Sequence, residues 1–191
     1  MNTKYFLTTL LLAVFLTNFS VMAQKVSISE SIVIDLPQKE LWKVTALQFD
    51  KIGIWSAGVK NSEGHGTGFN GSVCTERQCE PSQKGFKKTT ERIIDYQPEN
   101  FEFTYQIAEG LPSMVKHATN NWVHVSEGNG TRLTMNVKMK LGGFMGRIMK
   151  GFMKKRMKKL LRENLEELKV YAETGNLHER KKKLNAKLAK G

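Results

Sequence analysis

The chain has 191 residues, 40% of them hydrophobic, which is enough for one domain with a real core. Thirty lysines and arginines against 18 aspartates and glutamates give a net charge of +12, so a polyanionic partner has to be weighed. Two cysteines alone make a poor zinc site, and the chain carries no metal motif, nucleophile elbow or paired-carboxylate signal.

Residues 1–23 read as a secretory signal. Lys4 is the only charge, Phe6 to Leu16 form an apolar core too short for a comfortable membrane span, and Val21-Met22-Ala23 is a small-residue cleavage site before Gln24. The leader has a bacterial style, so the expected destination is secretion, into the periplasm or beyond. Val26, Ile28, Ile32 and Ile34 then alternate with serines and Val33 as a half-buried strand. Glu30 sits on the apolar parity, as a strand-edge residue or a ligand contact. Asp35-Leu36-Pro37-Gln38 opens a helix, with Asp35 as cap and Pro37 in the first turn. Leu41, Trp42, Val44 and Leu47 give that helix an apolar face, and a second short helical segment covers Phe49 to Trp55.

Gly66-Thr67-Gly68-Phe69-Asn70-Gly71 matches G-x-G-x-x-G by letter. No apolar strand precedes it and Ser72-Val73-Cys74-Thr75 follows in strand style, so a loop or hairpin is expected rather than a nucleotide site. In an oxidising compartment Cys74 and Cys79 suggest a disulfide closing a short loop; two free thiols are the alternative.

From Phe86 to Leu141 the pattern is β. Phe101, Phe103, Tyr105 and Ile107 alternate with polar residues, as do Leu133, Met135, Val137, Met139 and Leu141. Turns fall at Gln97-Pro98-Glu99-Asn100 and Gly128-Asn129-Gly130. An even hairpin loop at Gly128–Gly130 puts Asn120, Trp122 and His124 on the face of Met135, Val137 and Met139. The same arithmetic at Gln97–Asn100 puts Thr90, Arg92 and Ile94 on the face of Phe103 and Tyr105, unless a bulge flips the strand. Arg92, Tyr105, Asn120 and His124 on a concave apolar face suggest a pocket, or else structural residues that satisfy one another.

Gly143 to Gly175 predicts one long helix. Met145, Met149, Met153, Met157, Leu161 and Leu165 step by four, beside Ile148, Phe152, Leu160, Leu168 and Ala172. Steps of four advance by about 40° each, so the stripe slants, as suits a helix lying across a twisted sheet. Arg156 falls in the apolar ladder and either snorkels to water or faces a cavity. Apart from Met1 and Met22, every methionine lies between Met114 and Met157, on both walls of one expected groove. Methionine repacks easily, which suits a cavity accepting several apolar shapes.

The order strand, two short helices, six-strand meander and long helix is the helix-grip arrangement, an α+β fold in which a curved antiparallel sheet wraps a C-terminal helix. The chain resembles the START-like SRPBCC superfamily, nearest its polyketide cyclase/dehydrase branch. The carrying stretches are Ile34-Asp35-Leu36-Pro37-Gln38-Lys39-Glu40-Leu41-Trp42, Phe49-Asp50-Lys51-Ile52-Gly53-Ile54-Trp55, Gly71-Ser72-Val73-Cys74-Thr75, Thr90-Glu91-Arg92-Ile93-Ile94-Asp95, and Asn120-Asn121-Trp122 followed by Gly130-Thr131. The resemblance places the domain at residues 25–175 and implies an apolar ligand, lipid-like in character, between sheet and helix. The residues expected around it are Trp55, Arg92, Phe103, Tyr105, Asn120, Trp122, His124, Met135, Met139, Met149, Phe152, Met153 and Arg156. It implies no cofactor, metal or universal catalytic set. A cyclase- or dehydratase-like enzyme with His124 as acid or base is the second reading.

Arg147 to Arg162 hold Lys150, Lys154, Lys155, Arg156, Lys158 and Lys159 without one acid, opposing the helix dipole. The tail 176–191 adds Arg180, Lys181, Lys182, Lys183, Lys187 and Lys190, and its composition predicts disorder or weak helicity. An anionic membrane or envelope surface fits this charge. Nucleic acid is disfavoured by compartment and by the absence of a base-reading motif. A cationic surface-binding protein is therefore the third reading.

Overall fold

The computed structural model describes residues 23–68 and 70–190. The expected leader lies outside the described residues except for its last one, Ala23. Strand β1 (Gln24–Ile34) is followed by α1 (Gln38–Thr45), a 3-10 turn (Phe49–Lys51) and α2 (Ile52–Trp55). Six strands follow: β2 (Val59–His65), β3 (Glu76–Pro81), β4 (Thr89–Gln97), β5 (Glu102–Glu109), β6 (Val115–Glu127) and β7 (Gly130–Leu141). Helices α3 (Gly143–Thr174) and α4 (Glu179–Leu188) complete the chain. The sheet order is β1-β7-β6-β5-β4-β3-β2 with every neighbouring pair antiparallel. This is the helix-grip fold.

Period-two alternation decides the inner face. Val26, Ile28 and Ile34 of β1 lie buried beside Met139, Val137 and Thr131 of β7. The β6–β7 loop is Gly128-Asn129, with Gly128 at φ 58°, so Glu127 pairs with Gly130 and the even register holds. Asn120, Trp122 and His124 accordingly face inward beside Val137, Met135 and Leu133. On the outer face a polar ladder crosses four strands. Ser29 donates to Asn136 (2.7 Å), Asn136 to Asn121 (3.2 Å), and Asn121 to Glu102 (2.8 Å).

Helix α1 starts with Pro37 at its cap position and without a side-chain cap. Asp35 is therefore not the cap; its backbone N–H donates instead to Glu173 at the end of α3 (2.6 Å). Helix α2 lies so close to β2 that a Cβ on Gly53 would sit 2.7 Å from the Ser62 nitrogen. Beneath α1 the sheet carries an aromatic cluster. Trp42 meets Tyr96, Phe101, Phe103 and His124 at ring-centroid distances of 5.3–5.8 Å, largely tilted or edge-on.

Helix α3 has 32 residues, about 48 Å at helical rise, and ends on Gly175 at φ 69°. Its second half is anchored through Leu161, Leu165 and Leu168, all buried, at ~1.5–3 kcal/mol each. Glu30 faces inward and takes Lys158 (3.3 Å) and Arg162 (3.2 Å) of α3, which ties the helix across β1.

Residues 176–190 do not form a disordered tail. Helix α4 packs back because its cations find fixed partners. Arg180 pairs with Glu167 (2.6 Å) and Glu166 (2.8 Å) of α3, and the buried Lys181 donates to the Val59 carbonyl (2.7 Å). Glu167 is itself buried and accepts from the Ala57 N–H (2.8 Å), so one carboxylate joins the turn after α2 to α3 and α4.

The expected Cys74–Cys79 disulfide is absent: both are free, buried thiols. Cys79 points inward from β3, whereas Cys74 lies in the preceding loop, its sulfur against Gly64 and Asp50. Burial raises both thiol pKa values, that of Cys79 to about 12. Two thiols should therefore react with an aromatic disulfide reagent only after denaturation, and reductant should leave the native melting temperature unchanged; a shift under reductant would restore the disulfide.

His124 is buried between α1 and β5. Its Nδ1 donates to the Phe101 carbonyl (2.8 Å) and its Nε2 lies 2.8 Å from the Thr45 hydroxyl. Burial lowers its pKa to about 4, against 6.5 for a free histidine. The unfolded chain thus binds the extra proton first as pH falls. Stability present above pH 6.5 is lost between 6.5 and about 4, by up to ~3 kcal/mol. Urea midpoints should fall between pH 7.5 and 5, and His124→Phe should flatten that dependence; an equal slope in the variant would remove His124 as its source.

Candidate functional site

The aromatic cluster fills the space between sheet and helices at the α1 end. Phe103, His124 and Trp122 are 1%, 1% and 2% exposed, and Trp55 is buried at the end of α2. His124, expected at the ligand, belongs instead to the α1–β5–β6 packing, with both ring nitrogens engaged inside the protein. Trp55, Phe103, Met135 and Met139 are core residues of the inner wall.

Beside this cluster, joined to it through Phe49, lies a group of inward polar side chains. Arg77 enters from β3. It donates to the Phe49 carbonyl (2.6 Å) and to Glu91 (2.7 Å), with its guanidinium 4.0 Å from the Phe49 ring centroid and 5.0 Å from that of Tyr105. Burial is the largest single influence on the Arg77 charge and works against it, but Glu91 together with Cys79 and Tyr105 more than offsets it, and the net pKa shift is upward. Burial likewise raises the Tyr105 phenol, which therefore stays protonated at neutral pH. The Tyr105 hydroxyl accepts from Asn120 Nδ2 (3.0 Å). Two neighbouring inward atoms remain without partners: the Asn120 Oδ1 acceptor and the Trp122 Nε1 donor. Leaving such groups unpaired costs about 1–3 kcal/mol each.

Arg92 does not join this group. The four-residue loop Pro98–Phe101 pairs Gln97 with Glu102 and Tyr96 with Phe103 as the even count requires. A bulge between Ile93 and Asp95 then shifts the register, so Ile93 opposes Tyr105 and Arg92 opposes Gln106. Arg92 and Ile94 face solvent, and Arg92 pairs with Glu76 on the outer side. The inward cation is Arg77, which shares a strand parity with buried Cys79; that two-residue spacing was its available signal.

Half-buried apolar residues border the group. Ile107 of β5, Leu111 and Met114 of the β5–β6 loop, and Met153 and Met157 of α3 all pack against the core while remaining partly exposed. Met149 is half-buried and Phe152 is 54% exposed, so Phe152 is not an inward contact. Arg156 neither snorkels freely nor enters the interior. It reaches across to the β3–β4 loop, bonding Gln83 and lying 5.4 Å from the Phe86 ring centroid. The Gly142 N–H donates to the Met114 carbonyl (2.8 Å), and a Cβ on Gly110 would meet the Lys88 carbonyl. Loops 82–88 and 110–114 and the start of α3 therefore form one continuous rim. Sequence periodicity could not reveal these loop contributions, because loops carry no period.

This arrangement can bind better than it can catalyse. The inward charges neutralise each other, the tyrosine is held protonated, and the histidine is committed elsewhere. Among the described residues no group of three or more His, Cys, Asp or Glu side chains is placed to hold a metal ion.

Comparison with characterised protein sequences finds no significant match. Among solved structures the chain is similar to the protein TTHA0849 from Thermus thermophilus, with a TM-score of 0.64 at 17% identity, covering 77% of this chain and 97% of that one. It is also similar to Ara h 8.0201 (TM-score 0.59, 13% identity, 78% and 98% covered) and to ginseng major latex-like protein 151 from Panax ginseng (0.58, 11%, 78% and 97%). At such identities these likenesses establish the fold. The family described as polyketide cyclase / dehydrase and lipid transport matches residues 25–173. That span runs from the second residue of β1 almost to the end of α3, and the chain is a member of this family, within the START-like SRPBCC superfamily.

Proposed function

We propose that this protein is a binding protein for a hydrophobic, lipid-like molecule with one polar end. The family fold suits hydrophobic ligands. The observation that carries the reading is the pair of unpaired inward atoms Asn120 Oδ1 and Trp122 Nε1, on residues two apart along β6. One accepts and one donates, so together they suit a ligand group that does both, such as a hydroxyl or a protonated acid. The half-buried Ile107, Met114, Met153 and Met157 supply adaptable apolar surface for the rest of the ligand.

Processing of residues 1–23 and action outside the cytoplasm of a bacterium belong to the same proposal, on the strength of Lys4, the apolar run Phe6 to Leu16 and the small-residue site Val21-Met22-Ala23. Mass spectrometry of protein from the periplasmic fraction should give an N-terminus at Gln24; a chain retaining Lys4 in the cytosol would overturn secretion.

Solvent extraction of purified protein should release apolar molecules with a polar end, and a fluorescent fatty acid should compete for the same place. Trp122→Phe keeps an aromatic ring but deletes the Nε1 donor along with part of the indole, so it should weaken probe binding by at least roughly fivefold, the worth of one net hydrogen bond. Protein that carries nothing and takes up no fatty probe would defeat the binding reading.

A further inference from the structure

The first half of α3 carries a feature that ligand binding does not use. Phe144, Ile148 and Phe152 follow at four-residue steps and so form one row along the helix. They are 71%, 58% and 54% exposed, with Met145 beside them at 53%. Buried Gly146 and half-buried Met149, Met153 and Met157 occupy the opposite side, so this row points away from the sheet. A monomer gains nothing by presenting four large apolar side chains together to water.

The surroundings say what covers them. Arg147, Lys150, Lys154 and Lys155 lie within the same turns, and none of them has a carboxylate partner among the described residues. Across the rim, the β3–β4 loop exposes Phe86 (47%) between Lys84, Lys87 and Lys88. Arg156 binds the two sides together through Gln83 and Phe86. Two apolar prongs, each set among cations that have no carboxylate partner among the described residues, thus stand on one rim. A protein partner would need an acidic groove with two apolar pockets at fixed spacing. A bilayer carrying anionic headgroups meets both requirements with no special shape.

We propose that the rim formed by the first half of α3 and loop 82–88 docks on an anionic phospholipid surface, with Phe144, Ile148, Phe152 and Phe86 entering the headgroup–acyl boundary. No described helix is long and apolar enough to span a membrane, so the contact is interfacial. Docking would bring the half-buried Met114, Met153 and Met157 close to the lipid. The proposal rests on surface residues, and it stands or falls separately from ligand binding.

The test uses the folded chain without its leader and vesicles of phosphatidylglycerol with phosphatidylcholine, compared with phosphatidylcholine alone. Co-sedimentation should occur only with the anionic vesicles and should weaken at least tenfold between low and high salt. Two variants separate the terms: Phe144→Ser/Ile148→Ser/Phe152→Ser, and Lys150→Gln/Lys154→Gln/Lys155→Gln. Each should lose at least tenfold in vesicle affinity while keeping the thermal midpoint and fatty-probe binding of the parent, because all six side chains are exposed. Trp42, Trp55 and Trp122 are buried, so Phe152→Trp adds a surface reporter whose emission should shift to the blue on anionic vesicles. Equal binding by the apolar triple variant and its parent would overturn the proposal. So would a concentration-dependent dimer in light scattering that the same variant abolishes, since a second copy would then be the occupant. Vesicle binding without probe uptake would leave docking standing and remove the ligand reading.

Discussion

The four-residue spacing of apolar positions along α3 governs how the protein closes. A stripe that drifts by about 40° per step cannot keep one face on a flat partner for 32 residues. It can follow a twisted sheet, but only where the sheet offers apolar surface in return. Leu161, Leu165 and Leu168 find it in the second half, and Glu30 holds Lys158 and Arg162 at the crossing. Ahead of that crossing only Gly146 is fully buried on the helix. The second half is consequently a structural lid, while the first half leans over the inner face with its methionines half-covered.

A second constraint is the inward charge. Arg77 and Glu91 are each expensive to bury alone, and removing either would leave the other uncompensated at a cost of several kcal/mol. The pair is held by more than its own attraction: Phe49 and Tyr105 flank the guanidinium, and the Phe49 carbonyl accepts a hydrogen bond from it. Arg77 therefore fixes the 3-10 turn against β3 and sets the position of Tyr105. Tyr105 in turn receives Asn120 Nδ2, which leaves Asn120 Oδ1 unpaired. The polar chemistry available to a ligand is thus the residue left after a structural network has satisfied itself.

What the sequence made legible follows from which interactions have a period. The strands, the long helix, its Gly175 stop and the even β6–β7 register all rest on periodicity or turn length, and Asn120 and Trp122 were placed correctly by that arithmetic. Arg92 was misplaced because a bulge at Ile94 reverses Ile93, Arg92 and Glu91, until a second irregularity between Thr90 and Glu91 leaves Thr90 buried, and nothing in Ile93-Ile94-Asp95 marks which residue is extra. The thiols were misread because spacing along the chain is silent about direction: Cys79 turns into the sheet while Cys74 packs elsewhere. A helix in the tail was one of two expectations, but the packing of α4 was not legible, because it depends on two cations meeting Glu166, Glu167 and one carbonyl, a pattern that basic composition conceals.

The interior is consequently uneven in stiffness. At the α1 end, Trp42, Tyr96, Phe103 and His124 interlock as rings with few rotamers, and displacing any one would expose a large apolar area. At the opposite end the wall is Met114, Met149, Met153 and Met157, flexible side chains already partly in water. Moving the first half of α3 would break the Arg156 bridge to Gln83 and the weak Lys150 contact to Gln24, and would give up little buried area. Moving the second half would strip three buried leucines and the Glu167 junction. Local opening is therefore cheapest where the methionines and the exposed apolar row come together. Adaptation to a guest and contact with a surface draw on the same few turns of helix.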